Sequence, residues 1–376
     1  MASCEGIDLE VLYCHRATPS EQAKAGFGVE FDWDISLTEG YAHRFLTNVA
    51  RNPRVSSFRG LDTPEINEII ASEGFDAVMI NGWHYKSAWQ AMRACWKSHT
   101  PVMVRSDSQL QTERSGLHKI AKWPFYRWFI PRLDACLAVG KRSSDYFRHY
   151  GADVSKIMVV PHVIDVESFR SQSEKARPLR TTVLSNWGIG DNARVFIFAG
   201  KFIPKKRPMD FVLALKDAVE SGAEVVGLMV GDGPLRAACE EFVSEHNLPI
   251  RFTGFLNQSE ISTAYSAGDF LILPSDGGET WGLVVNEAMA CGCPCLVSDA
   301  VGSGPDMIVA GETGYTFPQG DIKQLGALIQ SLSNGSTDLE SLKANAFRKA
   351  AEYSVDRGVQ AVLHATQQVI AARSER

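Results

Sequence analysis

Two acidic side chains, Glu279 and Glu287, stand eight positions apart in the run PSDGGETWGLVVNEAMACGCP at residues 274–294. A glycine-rich turn precedes the first, and the second falls inside the helix that this turn opens. Carboxylates are natural acceptors for pairs of neighbouring hydroxyls, and Gly277 and Gly278 let bare backbone approach a ligand. An acidic helix start favoured by the helix dipole accounts for Glu279 alone, not for the whole run. Two cations, Lys201 and Lys206, lie in FAGKFIPKKRPMDFV, directly after an apolar strand pattern. Fixed positive charge at such a place suits a departing anion, because it meets charge as that charge develops. Lys205 and Arg207 read as solvated neighbours.

Other candidates are weaker. GDGP at 231–234 and FTGFLNQSEI at 252–261, which contains Gly254, read on their own as turns that follow strands. Asp107 follows the strand pattern PVMVR, where a helix N-cap would stand. His84, one strand earlier, faces the alternatives of a cleft or simple packing. Cys291, Cys293 and Cys295 lack a fourth ligand at zinc spacing and read as small buried residues. Asp32-Trp33-Asp34 has the D-x-D form that binds a metal in a different fold, although three-residue matches arise by chance. In KIAKWPFYRWFIPRL, residues 119–133, cations alternate with Trp123, Phe125, Trp128 and Phe129, as in an interfacial helix or as in ordinary aromatic packing beside solvated cations.

The elements that must position these residues follow from periodicity. LEVLYC at 9–14, DAVMI at 76–80, PVMVR at 101–105, ACLAV at 135–139 and KIMVVP at 156–161 alternate with helical stretches. A second series follows: RVFIFAG at 194–200, EVVGLMVG at 224–231, IRFTGF at 250–255, DFLILPS at 269–275 and PCLVS at 294–298. Short continuous apolar runs between helices are the pattern of parallel strands covered on both faces. At 376 residues the chain is long enough for two cores. The polar stretch RSQSEKARPLR, near 171–180, is expected to link them. A net charge of −6 argues against a protein whose main task is to neutralise nucleic-acid phosphates. Eight scattered cysteines form no disulfide framework, and no apolar run reaches the length of a membrane span.

The run around Glu279 and Glu287 resembles the E-x7-E motif of the retaining group 1 glycosyltransferases of family 4. The segment from Lys201 to Lys206 is similar to that family's G-R-x4-K element, with lysine in place of the usual arginine, which exchanges a bidentate fork for a point charge. Pro161, Asp165 and Phe169 match its hinge-proximal P-x3-D-x3-F, and the likeness continues more thinly through NGWHY, VMVRSDS and AVGKRSSDYF. The resemblance implies a GT-B fold, two Rossmann-like doubly wound domains facing across a cleft. It implies that Glu279, Lys201, Lys206 and Asp107 act at the reacting centre, Asp107 standing where many relatives place a histidine. Glu287, Gly200, Gly254, Gly277, Gly278, Thr280, Gly282 and Leu283 are implied to hold the donor. The family has a further first strand and a glycine-containing loop ahead of the segment that begins here at Leu9, so the first sheet is expected to lack a strand or to be completed upstream.

The domains expected are an acceptor-side unit at 1–170 and a nucleotide-sugar-binding unit at 181–354, with a terminal helix at 355–376 packing back on the first. The implied activity is transfer of a sugar from a nucleotide-diphosphate-sugar donor to a glycan, lipid-linked or small-molecule acceptor, with retention and no required metal. The alternatives are a non-catalytic protein of this fold that binds a nucleotide sugar or stabilises a partner, and a nucleotide-sugar epimerase or hydrolase. No nucleic-acid partner is expected. The expected location is cytoplasmic, with peripheral contact at the inner membrane face through 119–133.

Overall fold

The continuous apolar runs form strands, because a segment without a polar face must be covered on both sides. A computed structural model describes residues 1–2, 4, 6–16, 38–112, 116–335 and 337–374, without the side chains of 116–120. Asp32-Trp33-Asp34 lies outside them. The strands are β1 (Glu10–Tyr13), β2 (Ala42–Phe45), β3 (Val78–Asn81), β4 (Val102–Ser106), β5 (Ala135–Ala138) and β6 (Ile157–Val159) in the first half. The second half has β7 (Arg194–Ala199), β8 (Val225–Val230), β9 (Ile250–Gly254), β10 (Phe270–Leu273), β11 (Cys295–Ser298) and β12 (Gly314–Phe317).

In the second half one parallel sheet runs in the order β12-β11-β10-β7-β8-β9. Strand order reverses between β7 and β10, so the connections leave in opposite directions and a crevice opens beyond the carboxyl ends of those two strands. Every residue of β10 and β11 is buried, and in β7 only the first residue, half-buried Arg194, is not. In the first half β3-β4-β5-β6 form a parallel sheet, while β1 and β2 pair with each other. The expectation of an incomplete first sheet therefore meets a sheet in two pieces. Leu12 and Leu46 nevertheless share a core with Ile66, Ile80 and Trp83.

The polar stretch near 171–180, between β6 and β7, is helical. Helix Val166–Ala176, a 3-10 turn Arg177–Leu179 and helix Arg180–Asn186 run through it. Asp165 caps the first by accepting from the Ser168 N–H at 2.9 Å. Val166, Phe169 and Ser173 are its buried face, and Pro178 is accommodated at the start of the tighter turn. The helix is anchored on the second half, where Ser262 Oγ donates to Gln172 Oε1 (2.8 Å) and Ser173 Oγ donates to the Cys291 carbonyl (3.2 Å).

The terminal helix Val355–Ser374 returns to the first half. Val362, Ala365 and Val369, spaced as one helical face, join a core with Met103, Leu137 and Val160. No helix among the described residues is long and apolar enough to cross a membrane.

Candidate active site

The crevice between β7 and β10 collects the acidic and basic candidates from two loops. After β10 the chain passes through buried Ser275 into the turn that carries Glu279. Gly278 N–H donates to Asp276 Oδ1 (2.7 Å) and Glu279 N–H to the Asp276 carbonyl (2.9 Å), so Asp276 closes the turn on itself. From the loop after β11, Gly302 N–H donates to the Glu279 carbonyl at 2.9 Å. A Cβ at Gly302 would lie 1.8 Å from the Thr280 carbonyl oxygen, so this close approach needs glycine. At Gly277 a Cβ would meet the Gln111 carbonyl oxygen at 2.5 Å. In this structure the bare backbone at Gly277 thus faces the first half of the chain.

Glu279 is only 7% exposed, and its Oε2 lies 2.5 Å from Lys206 Nζ, 3.5 Å from Ser275 Oγ and 3.9 Å from Lys205 Nζ. Lys206 is itself buried, in the turn Pro204–Lys206 that follows β7, and its stem folds over Gly200. Lys201 belongs to the same cluster. Burial, then the like charges of Lys205 and Lys206, hold its ammonium below the ordinary value, while Glu279 opposes them. Lys205 is more than a solvated neighbour, since its carbonyl accepts from Asp276 N–H (2.9 Å). Arg207 is bound to Asp210 at 2.6 Å.

Gly282 is the N-cap of helix Leu283–Ala290, with Leu283 exposed at its first turn and Thr280 just before it. One turn on, Glu287 is half-buried and accepts from the Tyr265 hydroxyl at 3.0 Å. Burial pushes its carboxyl up, against the lowering influence of Tyr265 and Lys206. Tyr265 had no local signal. Gly254 ends β9, where its carbonyl accepts from Gly231 N–H (2.8 Å), so GDGP and FTGF form adjoining rims of the crevice.

The first half reaches the same loop. Asp107 accepts from Thr280 Oγ1 at 2.6 Å. Buried Gln109 donates through Nε2 to the Gly277 carbonyl (2.9 Å) and the Glu279 carbonyl (3.4 Å), while its Oε1 accepts from Arg142 (3.2 Å). Arg142 also donates to the Ala300 carbonyl (2.7 Å) and to the Asp299 carbonyl. Beneath Asp107, Arg105 is bonded to the carbonyls of Val160 (3.2 Å) and Pro161 (2.9 Å) and to His162 Nδ1 (3.3 Å). His84 is exposed, stacked beside Trp83. Gln109, Arg142, Arg105 and His162 were not candidates from the sequence.

Cys291, Cys293 and Cys295 are buried, and burial raises all three thiols, Cys291 to about 12. Among the described residues no three His, Cys, Asp or Glu side chains gather as a metal site. In the helix Gly116–Phe129, Trp123, Phe125 and Trp128 are exposed while Phe129 is buried.

Two parallel α/β units facing across a cleft, with buried acid and base from the second meeting polar side chains from the first, define a protein of GT-B architecture. Solved structures agree on this fold. Sucrose-phosphate synthase from Thermosynechococcus elongatus superposes with a TM-score of 0.69 at 18% identity, covering 96% of this chain and 99% of that one. Anabaena HepE in complex with UDP and glucose superposes at 0.61 and 18% identity, covering 89% and 87%. Glycosyl transferases group 1 matches residues 180–349, and Glycosyltransferase Family 4 matches residues 5–168. The chain belongs to the group 1 glycosyltransferases. Among curated relatives, D-inositol 3-phosphate glycosyltransferase of Rhodococcus opacus is 29% identical over 73% of this chain and 61% of its own length. N-acetyl-alpha-D-glucosaminyl L-malate synthase of Bacillus anthracis is 33% identical over 38% of this chain and 36% of its length. Sulfoquinovosyl transferase SQD2 of Arabidopsis thaliana is 36% identical over 31% of this chain and 23% of its own. The matched parts thus span between about a quarter and three-fifths of these relatives.

Proposed function

We propose that the chain transfers a sugar from a nucleotide-diphosphate donor to an acceptor hydroxyl, with retention of the anomeric configuration and no required metal. The observation that carries this reading is the buried Lys206–Glu279 pair, 2.5 Å apart at the sheet's switch point, with Lys201 and Glu287 within electrostatic range. A donor diphosphate would draw Lys206 and Lys201 to itself and release Glu279 to accept from sugar hydroxyls. Glu287 would hold the ribose. As the anomeric C–O bond to the diphosphate breaks, the acceptor oxygen bonds to the same face and its proton passes to the leaving phosphate oxygen. The lysines stabilise that developing charge. Gly200, Gly254, Gly277, Gly278, Thr280, Gly282 and Leu283 frame the donor, and Asp107 orients the loop through Thr280. HepE, solved with UDP and glucose, supports a donor of this class. The acceptor is a glycan, a lipid-linked group or a small molecule, and the exposed aromatics of 119–133 favour peripheral membrane contact.

The test is donor consumption by Lys206→Ala and Glu279→Gln. Loss of a group that stabilises developing charge costs about 10²–10³ in turnover. Removing one member of a buried ion pair also costs about 3–5 kcal/mol of stability. The double variant Lys206→Met/Glu279→Gln therefore serves as the folded control, and it too is expected to be inactive. Turnover within a fewfold of wild type in any of these overturns the reading. Tight nucleotide binding with no turnover by the wild type would favour instead the non-catalytic alternative, to which the divided first sheet also points.

A further inference from the structure

A second charged cavity, of about 770 Å³, lies in the first half between the loop at 50–59 and one face of helix Lys86–Ser98. Lys86, Trp89, Gln90 and Arg93, spaced three and four apart, form its floor. Arg51, Arg54 and Arg59 stand on the loop, and among the described residues the only carboxylate in the wall is Asp62. That carboxylate is already engaged: its Oδ2 lies 2.5 Å from Lys86 Nζ, and its Oδ1 accepts from Gln90 Nε2 at 2.8 Å. Among the described residues Arg51, Arg54, Arg59 and Arg93 have no carboxylate partner, in a chain whose net charge is −6.

The loop is a fixed structure. Asn48 Nδ2 donates to the Gly60 carbonyl (2.9 Å), and Asn48 Oδ1 accepts from the N–H groups of Ala50 (3.0 Å) and Asp62 (2.9 Å). Arg54 N–H donates to the same Gly60 carbonyl (3.2 Å), and Tyr85 Oη donates to the Val55 carbonyl (2.9 Å). A Cβ at Gly60 would fall 1.8 Å from the Arg54 carbonyl oxygen, so a glycine is needed for the chain to close there.

The cavity borders apolar surface. Trp89 lies with its ring centroid 5.0 Å from that of Phe125, which leads to the exposed Trp128, and Phe58 on the rim is half exposed. Arg132 and Arg127 lie over Trp128 and Trp123 at 4.8 Å and 5.4 Å. Guanidinium groups are forks matched to phosphate oxygens, and aromatic rings edged with cations suit the boundary between headgroups and acyl chains. We infer that this cavity binds a phosphate group, and that the aromatic surface beside it receives the apolar chain on which that phosphate is borne. The site is separate from the donor crevice and does not rest on the donor reading.

The experiment uses the full chain and flotation with vesicles of phosphatidylcholine, with and without phosphatidic acid. Each arginine near an anionic surface contributes about fivefold in affinity, so Arg51→Gln/Arg59→Gln/Arg93→Gln is expected to lose roughly a hundredfold. A second triple variant, Lys175→Gln/Lys323→Gln/Arg348→Gln, carries the same charge change on distant exposed sites and is expected to float like wild type. In a parallel arm, inorganic phosphate is titrated by calorimetry into wild type, the arginine triple and the Lys206→Met/Glu279→Gln double variant. Binding to phosphate alone, lost in the triple and kept in the Lys206→Met/Glu279→Gln double variant, supports the phosphate site and overturns the apolar chain. Vesicle binding lost only in the arginine triple supports the site with a lipid-borne phosphate. Equal behaviour of the two triple variants, or no binding of either probe by wild type, overturns the proposal. Arg93→Gln alone, an exposed helix position, repeats the test if the triple does not fold.

Discussion

The His162 imidazole, pushed down to about 4, is held neutral first by burial and next by the Arg105 guanidinium, with Asp107 opposing. In the unfolded chain the same imidazole takes its proton near pH 6.5. Between those values the unfolded state binds more protons than the folded one, so this residue's contribution to stability is present above about pH 6.5 and lost toward pH 4. The loss is on the order of 3 kcal/mol. Glu287 and Asp306 work in the opposite sense, because burial raises their carboxyls and the folded state then takes up protons first as pH falls. The prediction is therefore a difference. In urea titrations, wild type should lose more stability between pH 6.5 and 4.5 than His162→Gln, whose side-chain oxygen can still accept from Arg105. Parallel pH profiles would rule out a buried neutral imidazole at this position.

At the scale of an element, the turn carrying Glu279 depends on the loop after β11. Gly302→Ala forces a methyl into the Thr280 carbonyl and displaces the N–H that holds the Glu279 carbonyl. Overpacking of this kind costs about 1–3 kcal/mol. The affinity for nucleoside diphosphate should fall with it, whereas Gly190→Ala, with nothing within 4 Å of its Cβ, should change stability by less than about 0.5 kcal/mol. Chemical denaturation and calorimetry on both variants check this, and unchanged binding in Gly302→Ala would detach the loop from the site. The same local dependence explains what could be seen in advance. Strands such as β10 and β11 announce themselves because burial on both faces leaves an unbroken apolar run. β2 reads AHRF with both ends exposed, and β12 opens on Gly314, whose Cβ would fall 1.9 Å from the Cys295 carbonyl, so neither carries that pattern. The helix Val166–Ala176 was hidden because it buries only Val166, Phe169 and Ser173, which leaves most of its sequence polar. Glu279 and Lys206 were legible as motifs on the loops after β10 and β7. Tyr265 and Gln109 were not, because they meet their partners 22 and 168 residues away through topology alone.

Across the whole molecule, the two halves are joined by a small set of polar struts around the loop at 275–282. Thr280 donates to Asp107, Gln109 to the carbonyls of Gly277 and Glu279, and Arg142 to those of Ala300 and Asp299. Asp306 accepts from the Lys141 N–H at 3.1 Å, and Lys141 Nζ reaches the Pro305 carbonyl at 2.9 Å. Burial holds the Arg142 guanidinium below its ordinary value, the mark of a charge kept in place by its acceptors rather than by water. Gln109 and Arg142 are themselves bonded at 3.2 Å, so they should act as one unit. Residues in one hydrogen-bond network show interaction energies of about 0.5–3 kcal/mol, whereas separated residues add. Gln109→Ala and Arg142→Ala should each weaken nucleoside diphosphate binding by loosening the loop that carries Glu279. The double variant should bind about tenfold better than the product of the two single effects would give. If the three dissociation constants multiply as independent losses, the struts act separately and the halves are not held by a shared network. If they fall short as expected, closure of the cleft and placement of the donor loop are a single event, because either residue alone is enough to release it.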